Sequence, residues 1–258
     1  MSAVEIHDVE SWAWPAHVRV RHASDPFVSV RDLALAIAGM LRASLVDKER
    51  AVLSVSGGTS PVPLFELLSQ IDLDWSRVTV TLVDERQVSE DHPASNTRLV
   101  RQHLLRQYAA AAQLLSFVGT DLPQNQTDWI ACASRANDAL LALGPADVTV
   151  LGMGLDGHFA SIFPQALERE EALAPQQMRA CMTIHLEPAP VQAPFDRISQ
   201  TLAHICRSRH VILPVAGTEK LTVLRHALAH QRPDWPISAL LSTTAPLFPS
   251  DLMLWITP

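Results

Sequence analysis

One stretch constrains the fold more than any other. Asp147-Val148-Thr149-Val150-Leu151 reads as a buried strand of a parallel sheet, and it runs straight into Gly152-Met153-Gly154-Leu155-Asp156-Gly157-His158. Glycine lets a chain turn sharply after a strand and lets a ligand approach the main chain closely. In an open parallel sheet, ligands bind at the carboxyl ends of the strands. The stretch therefore offers one aspartate and one histidine where such a fold keeps its chemistry.

The same grammar repeats along the chain. Val18-Arg19-Val20 reads as an edge strand, and Asp25-Pro26 opens a helix whose Phe27, Val30, Leu33, Ala34, Ile37 and Leu41 recur at helical spacing as one buried face. Strands are expected at Ala51–Val55, Val78–Val83, Leu114–Val118, Cys181–Ile184, His210–Val215 and Leu252–Ile256. Helices are expected over Val62–Gln70, Thr97–Gln107, Asp128–Leu143 (stopped by Gly144-Pro145) and from Lys220 onward, where Leu221, Leu224 and Leu228 pack inward. Glu168–Gln177 reads as loop and helix fragments, and Glu187–Pro194, with three prolines, as a loop. Alternating strands and helices without a repeat or a long linker imply an α/β fold: a single-domain Rossmann-like sandwich over residues 1–258, with a mainly parallel sheet flanked by helices.

Four strand ends carry polar residues. Ser56-Gly57-Gly58-Thr59-Ser60-Pro61 joins a strand to a helix N-terminus, so free N–H groups and the positive end of the helix dipole point into the turn, as in an anion cradle. An ordinary turn capped by Ser60 has the same signature, and no Gly-Lys-Ser/Thr follows to make it a P-loop. Asp84-Glu85-Arg86 ends the next strand; its charges suit a structural salt bridge, or Arg86 faces a substrate anion with its planar fork. Lys220 lies in the first turn of a helix, where the dipole disfavours a cation unless an anion offsets it or water screens it. Asp156 and His158 complete the set: histidine is suited to general-base work near neutral pH, and an aspartate two residues away can fix its tautomer. A metal site would need more ligands than these, and His185, His204 and His210 are not convincingly spaced.

Composition narrows the function classes. The chain has 258 residues and a net charge of −7, and no basic cluster invites nucleic acid. Its N-terminus lacks the pattern of a signal peptide, and Leu33–Val46 is too short to span a membrane and contains Arg42. Three scattered cysteines, Cys132, Cys181 and Cys206, fit reduced thiols in the cytoplasm.

Leu151–Pro164 closely resembles the 6-phosphogluconolactonase signature G-x-G-x-D-G-H-x-A-S-L-F-P. Ser56–Pro61 resembles that family's S-G-G-S-T-P loop with the last two hydroxyl residues exchanged. Val83-Asp84-Glu85-Arg86 and Ser95-Asn96 resemble its D-E-R-x-V and S-N pair. Arg197-Ile198-Ser199-Gln200-Thr201 resembles R-I-S-L-T with Gln200 at the usual leucine, and Gly217–Lys220 resembles the late G-x-x-K. The resemblance implies hydrolysis of 6-phospho-D-glucono-1,5-lactone to 6-phospho-D-gluconate in the oxidative pentose phosphate pathway, with no metal and no organic cofactor. By position it implies His158 as the base that activates water and Asp156 as its partner. It implies phosphate binding by Ser56, Gly57, Gly58, Thr59, Ser60, Arg86 and Lys220, with Arg197 nearby and Asp84, Asn96 and Gly154 also at the substrate. A monomer or weak homodimer acting on a small sugar phosphate is expected. The related glucosamine-6-phosphate deaminases share the loop and the D-G-H turn but continue I-A-F-N-E-P, so Phe163 stands where they carry a glutamate, and Arg86 where they usually carry tyrosine. A non-catalytic sugar-phosphate sensor is the third reading. It would keep the loop and lose the base, whereas this chain retains His158 and Asp156.

Overall fold

The computed structural model describes residues 9, 11–23, 25–119, 123, 125–187, 194–229, 232–242 and 251–257. Its elements are, in order, β1 (Val18–His22), α1 (Pro26–Asp47), β2 (Ala51–Val55), α2 (Val62–Ser69), β3 (Val78–Leu82), β4 (Asp84–Arg86), α3 (Asn96–His103), β5 (Gln113–Leu115), α4 (Gln126–Leu143), β6 (Val148–Val150), α5 (Arg169–Leu173), β7 (Cys181–Ile184), β8 (Arg197–Gln200), α6 (Leu202–Cys206), β9 (His210–Ala216), α7 (Thr218–Leu228), α8 (Pro236–Ser242) and β10 (Leu252–Thr257).

Seven strands form one sheet in the order β1-β10-β9-β6-β2-β3-β5, and every neighbouring pair is parallel. Apolar side chains from this sheet feed two cores. In β9, Val211, Leu213 and Val215 join one cluster while Ile212 joins the other. Burial on both faces is why β2, β3 and β6 carry no charged residue, with only serine and threonine among their apolar side chains. From β2 the chain moves outward to β3 and β5, then returns to β6 on the other side of β2. The β2/β6 pair is therefore the topological switch point, where a crevice opens beyond the carboxyl ends of the strands.

The structure changes several expectations. Asp84–Arg86 does not end the second strand; it forms β4 of a separate antiparallel sheet, β4-β8-β7, which also takes Cys181–Ile184. Val83 N still donates to Val55 O of the main sheet, and Gln200 N then donates to Val83 O, so the chain crosses between sheets at one residue. The Gln200 amide spans the same gap, donating to Ser54 Oγ at 3.0 Å and Leu82 O at 2.8 Å. Phe27 is 70% exposed, because the buried stripe of α1 begins only at Ser29. Spacing locates a stripe without showing where a helix outruns the surface it covers. Ser60 does not cap α2, whose N-cap position is Pro61 with no side-chain hydrogen bond. The helix expected to reach Gln107 stops at His103, and the third strand is shorter than its apolar run, because Ser116–Val118 lie outside β5. Within the Glu187–Pro194 loop, residues 188–193 lie outside the described residues.

Cys132, Cys181 and Cys206 are buried and free. Among the described residues, no helix is long and apolar enough to cross a membrane.

His204, buried in α6, is pushed down to about 4, by desolvation first and then by the Arg207 charge. Its ordinary value is 6.5, so the unfolded chain takes up the proton first as pH falls. This contribution to stability is complete above pH 6.5 and is lost between there and pH 4, on the order of 3 kcal/mol in all. Urea unfolding at pH 7 and pH 5 should show the loss, and His204→Gln should reduce it. Equal losses in both proteins would count against a buried neutral imidazole.

Candidate active site

The turns that follow β2 and β6 lie side by side at the switch point and are tied together. Ser56 N donates to Val150 O at 3.0 Å, and Gly152 N donates to Ser56 Oγ at 3.0 Å. Beyond them opens a cleft of about 360 Å³. Ser56, Gly57, Gly58, Thr59 and Ser60 line one part of it; Gly154 and His158 line another; Asp84, Arg86, Asn96, Arg197 and Lys220 complete the polar wall. The structure thus brings together every candidate residue except Asp156, which is not among the lining residues and stands behind His158.

The turn after β6 is shaped around the side chains of Asp156 and His158. Gly154 N donates to His158 O at 2.9 Å, and Gly157 N to Gly154 O at 3.1 Å. Asp156 Oδ1 lies 2.6 Å from His158 Nδ1 and accepts the His158 main-chain N–H at 3.2 Å. A Cβ on Gly154 would fall 2.2 Å from the imidazole Cε1 and Nδ1 and 2.6 Å from Asp156 Oδ1, so only glycine leaves room for the pair. Burial pulls the Asp156 carboxyl up, but the hydrogen bonds and charge of His158 outweigh it and hold the group below the usual carboxylate range. With Nδ1 engaged by Asp156, Nε2 is the imidazole nitrogen left for proton transfer.

The opposite wall is cationic. Arg86 and Arg197 are paired in register across β4 and β8. Arg86 Nη1 donates to Ala94 O at 2.5 Å, while its buried Nε has no partner among the described residues. The Arg197 guanidinium donates to Phe195 O and is pushed down to about 10, by burial first and then by the Arg86 charge, with Asp84 acting in the other direction. Lys220, in the first turn of α7, is lowered by burial alone. Two half-buried cations, Arg86 and Lys220, and the buried Arg197 beside a glycine turn are the electrostatic complement of an anion.

Other side chains hold the wall in place. Asp84 Oδ2 accepts from Ser161 Oγ at 2.5 Å, which ties the His158 turn to the start of the small sheet. Asn96 Nδ2 donates to Asp84 O at 2.7 Å, and Gly57 packs so tightly on Asn96 that a Cβ there would lie 1.8 Å from Oδ1. Glu85, 1% exposed, faces away from the cleft. Its carboxylate accepts from the backbone N–H groups of Arg86, Asn96 and Thr97 and from Ser95 Oγ, so it closes the N-terminus of α3. Burial pushes this carboxyl up against the lowering effect of those bonds. Glu85, Ser161 and Phe163, whose ring stacks on His158, are the side chains that reading the sequence did not place. The period-2 geometry of a strand was the available signal for Glu85, since it must point opposite to Asp84 and Arg86. Among the described residues, no group of three or more His, Cys, Asp or Glu side chains could hold a metal ion.

A cleft lined by Arg86, Arg197 and Lys220 at the switch point of a parallel sheet, walled on one side by a small antiparallel sheet, defines the class: an α/β protein with a cation-lined cleft at the carboxyl edge. The family model described as glucosamine-6-phosphate isomerases/6-phosphogluconolactonase matches residues 24–248, and the chain belongs to that family. It is 41% identical over 228 residues to a 6-phosphogluconolactonase of Pseudomonas putida, covering 88% of this chain and 90% of that protein. It is 40% identical over 214 residues to one of Neisseria meningitidis, covering 83% and 90%. The crystal structure of a 6-phosphogluconolactonase from Shewanella baltica superposes with a TM-score of 0.81 at 35% identity, covering 95% of this chain and all of that one.

Proposed function

We propose that this protein hydrolyses 6-phospho-D-glucono-1,5-lactone to 6-phospho-D-gluconate, as a single domain acting in the cytoplasm as a monomer or weak homodimer. The observation that carries the reading is that His158, held at Nδ1 by Asp156, opens onto the same cleft as the Ser56–Ser60 turn, Arg86 and Lys220. Relatives named for this activity, matched over 90% of their own length, support it.

In this reading the phosphate is held by the N–H groups of the Ser56–Ser60 turn with Lys220, Arg86 and Arg197, and Asp84 and Asn96 border the sugar. His158 Nε2 takes a proton from water as its oxygen bonds to the lactone carbonyl carbon. The resulting tetrahedral species collapses by breaking the bond from that carbon to the ring oxygen, and the imidazolium returns its proton to this oxygen. The product carries a free hydroxyl and a carboxylate, with one proton released to solvent. Asp156 keeps the Nδ1 proton in place and stabilises the imidazolium between the two transfers. Since a lactone is an activated ester, a positioned base and a fixed phosphate account for the catalysis without a cofactor.

The test couples a glucose-6-phosphate dehydrogenase, which generates the lactone, to detection of 6-phosphogluconate. The protein should raise the rate well above spontaneous opening, and an unchanged rate would reject the reading. Lys220→Ala and Arg86→Ala should each raise KM about tenfold or more, with a smaller effect on kcat, because each removes a charged contact to a group remote from the reacting carbon. A fall in kcat at constant KM would move these residues to the reacting end.

A further inference from the structure

We propose that Phe163 is a positioning residue for the reaction: its ring sets the plane of the His158 imidazole. The inference rests on His158 being the base. The two rings stack with centroids 4.1 Å apart and planes 25° from parallel. Three elements then bound the imidazole. Asp156 holds Nδ1, Gly154 abuts the Cε1–Nδ1 edge, and Phe163 covers a face.

A hydrogen bond at Nδ1 fixes one atom but leaves the ring free to pivot about it, because the histidine χ2 torsion is broad. A stacked aromatic neighbour removes that freedom and keeps water off the covered face. The fold anchors Phe163 for this purpose. Phe159 and Ile162, both fully buried, pair across the preceding turn. Phe163 O accepts from Ala166 N at 3.1 Å, and Pro164 O accepts from Arg169 Nη1 at 2.9 Å. The ring packs against the core that contains β9 and α7, yet it also lines the cleft. It is thus rigid on one side and in contact with the base on the other.

The experiment compares wild type, H158A, F163A, F163L and F163Y by steady-state lactone hydrolysis, together with long-range proton–nitrogen NMR of the His158 ring. F163A should lower kcat by a factor on the order of 10–10² with KM unchanged, the scale expected when a reacting group is misplaced by about an ångström. F163L keeps the apolar volume but not the flat stack and should share the loss. F163Y should recover it. In the NMR spectra the His158 Cε1 proton should move downfield in F163A and F163L, as the ring current is lost, and return in F163Y. Wild-type kcat in F163A, with H158A inactive, would overturn this inference alone. So would a loss that F163Y fails to recover or that comes with a matching rise in KM, since either describes packing rather than positioning. An active H158A would instead overturn the reading of His158 as base. A wild-type protein that leaves the spontaneous rate unchanged would overturn the hydrolase reading itself.

Discussion

His158→Ala lowers kcat for lactone hydrolysis by about 10²–10⁴-fold, the usual worth of a positioned general base. Binding of 6-phosphogluconate stays within a few-fold of wild type, because the Ser56–Ser60 turn and the cations that line the cleft are untouched. The measurement is a coupled assay beside a titration of product. Near-normal kcat in the variant would remove His158 from the mechanism, and loss of product binding would show that it holds substrate instead of acting on water. Asp156→Asn should follow with a smaller fall. An amide can still contact Nδ1, but it no longer stabilises the imidazolium and it admits the wrong tautomer.

The largest effect on stability is expected from Glu85→Ala. That carboxylate serves three backbone N–H groups and one hydroxyl in a buried place. Removing it leaves these donors without acceptors, at roughly 1–3 kcal/mol for each that water cannot reach, so a loss of about 3–5 kcal/mol is expected. Glu85→Gln should lie between, because an amide oxygen can serve only part of the set. Denaturant unfolding reads both. A change below about 1 kcal/mol in Glu85→Ala would mean that water replaces the carboxylate and that the α3 N-terminus needs no internal acceptor.

Much of this was legible from residues alone, and the reason is physical. Strands buried on both faces exclude charge, so β2, β3 and β6, whose polar members are only the hydroxyl residues Ser54, Thr79, Thr81 and Thr149, announce themselves. Turns at the carboxyl edge need glycine, so the Gly57-Gly58 and Gly152–Gly157 segments mark the site's two halves. What failed to show was geometry that depends on a partner. Asp84–Arg86 seemed to end a strand because nothing in its sequence says that β8 waits to pair with it. Phe27 matched a helical stripe whose buried part begins two residues later. Phe163 reads as a substitution for a glutamate of the related deaminases, and its contact with the imidazole follows from the bridge between Phe159 and Ile162, which no spacing announces. Gln200 read as a departure from the family pattern, whereas its amide joins the two sheets where a leucine could not.

The stitching of Ser56 to Val150 and Gly152 sets a ruler inside the molecule. The turn proposed to hold the phosphate and the turn that carries the imidazole belong to adjacent strands, so their separation derives from the sheet's own spacing, about 4.8 Å between strands, rather than from any adjustable loop. A ligand is therefore gauged by the span between its charged tail and its reactive carbon. Lengthening or shortening that span by one carbon should defeat turnover more thoroughly than inverting a hydroxyl in between.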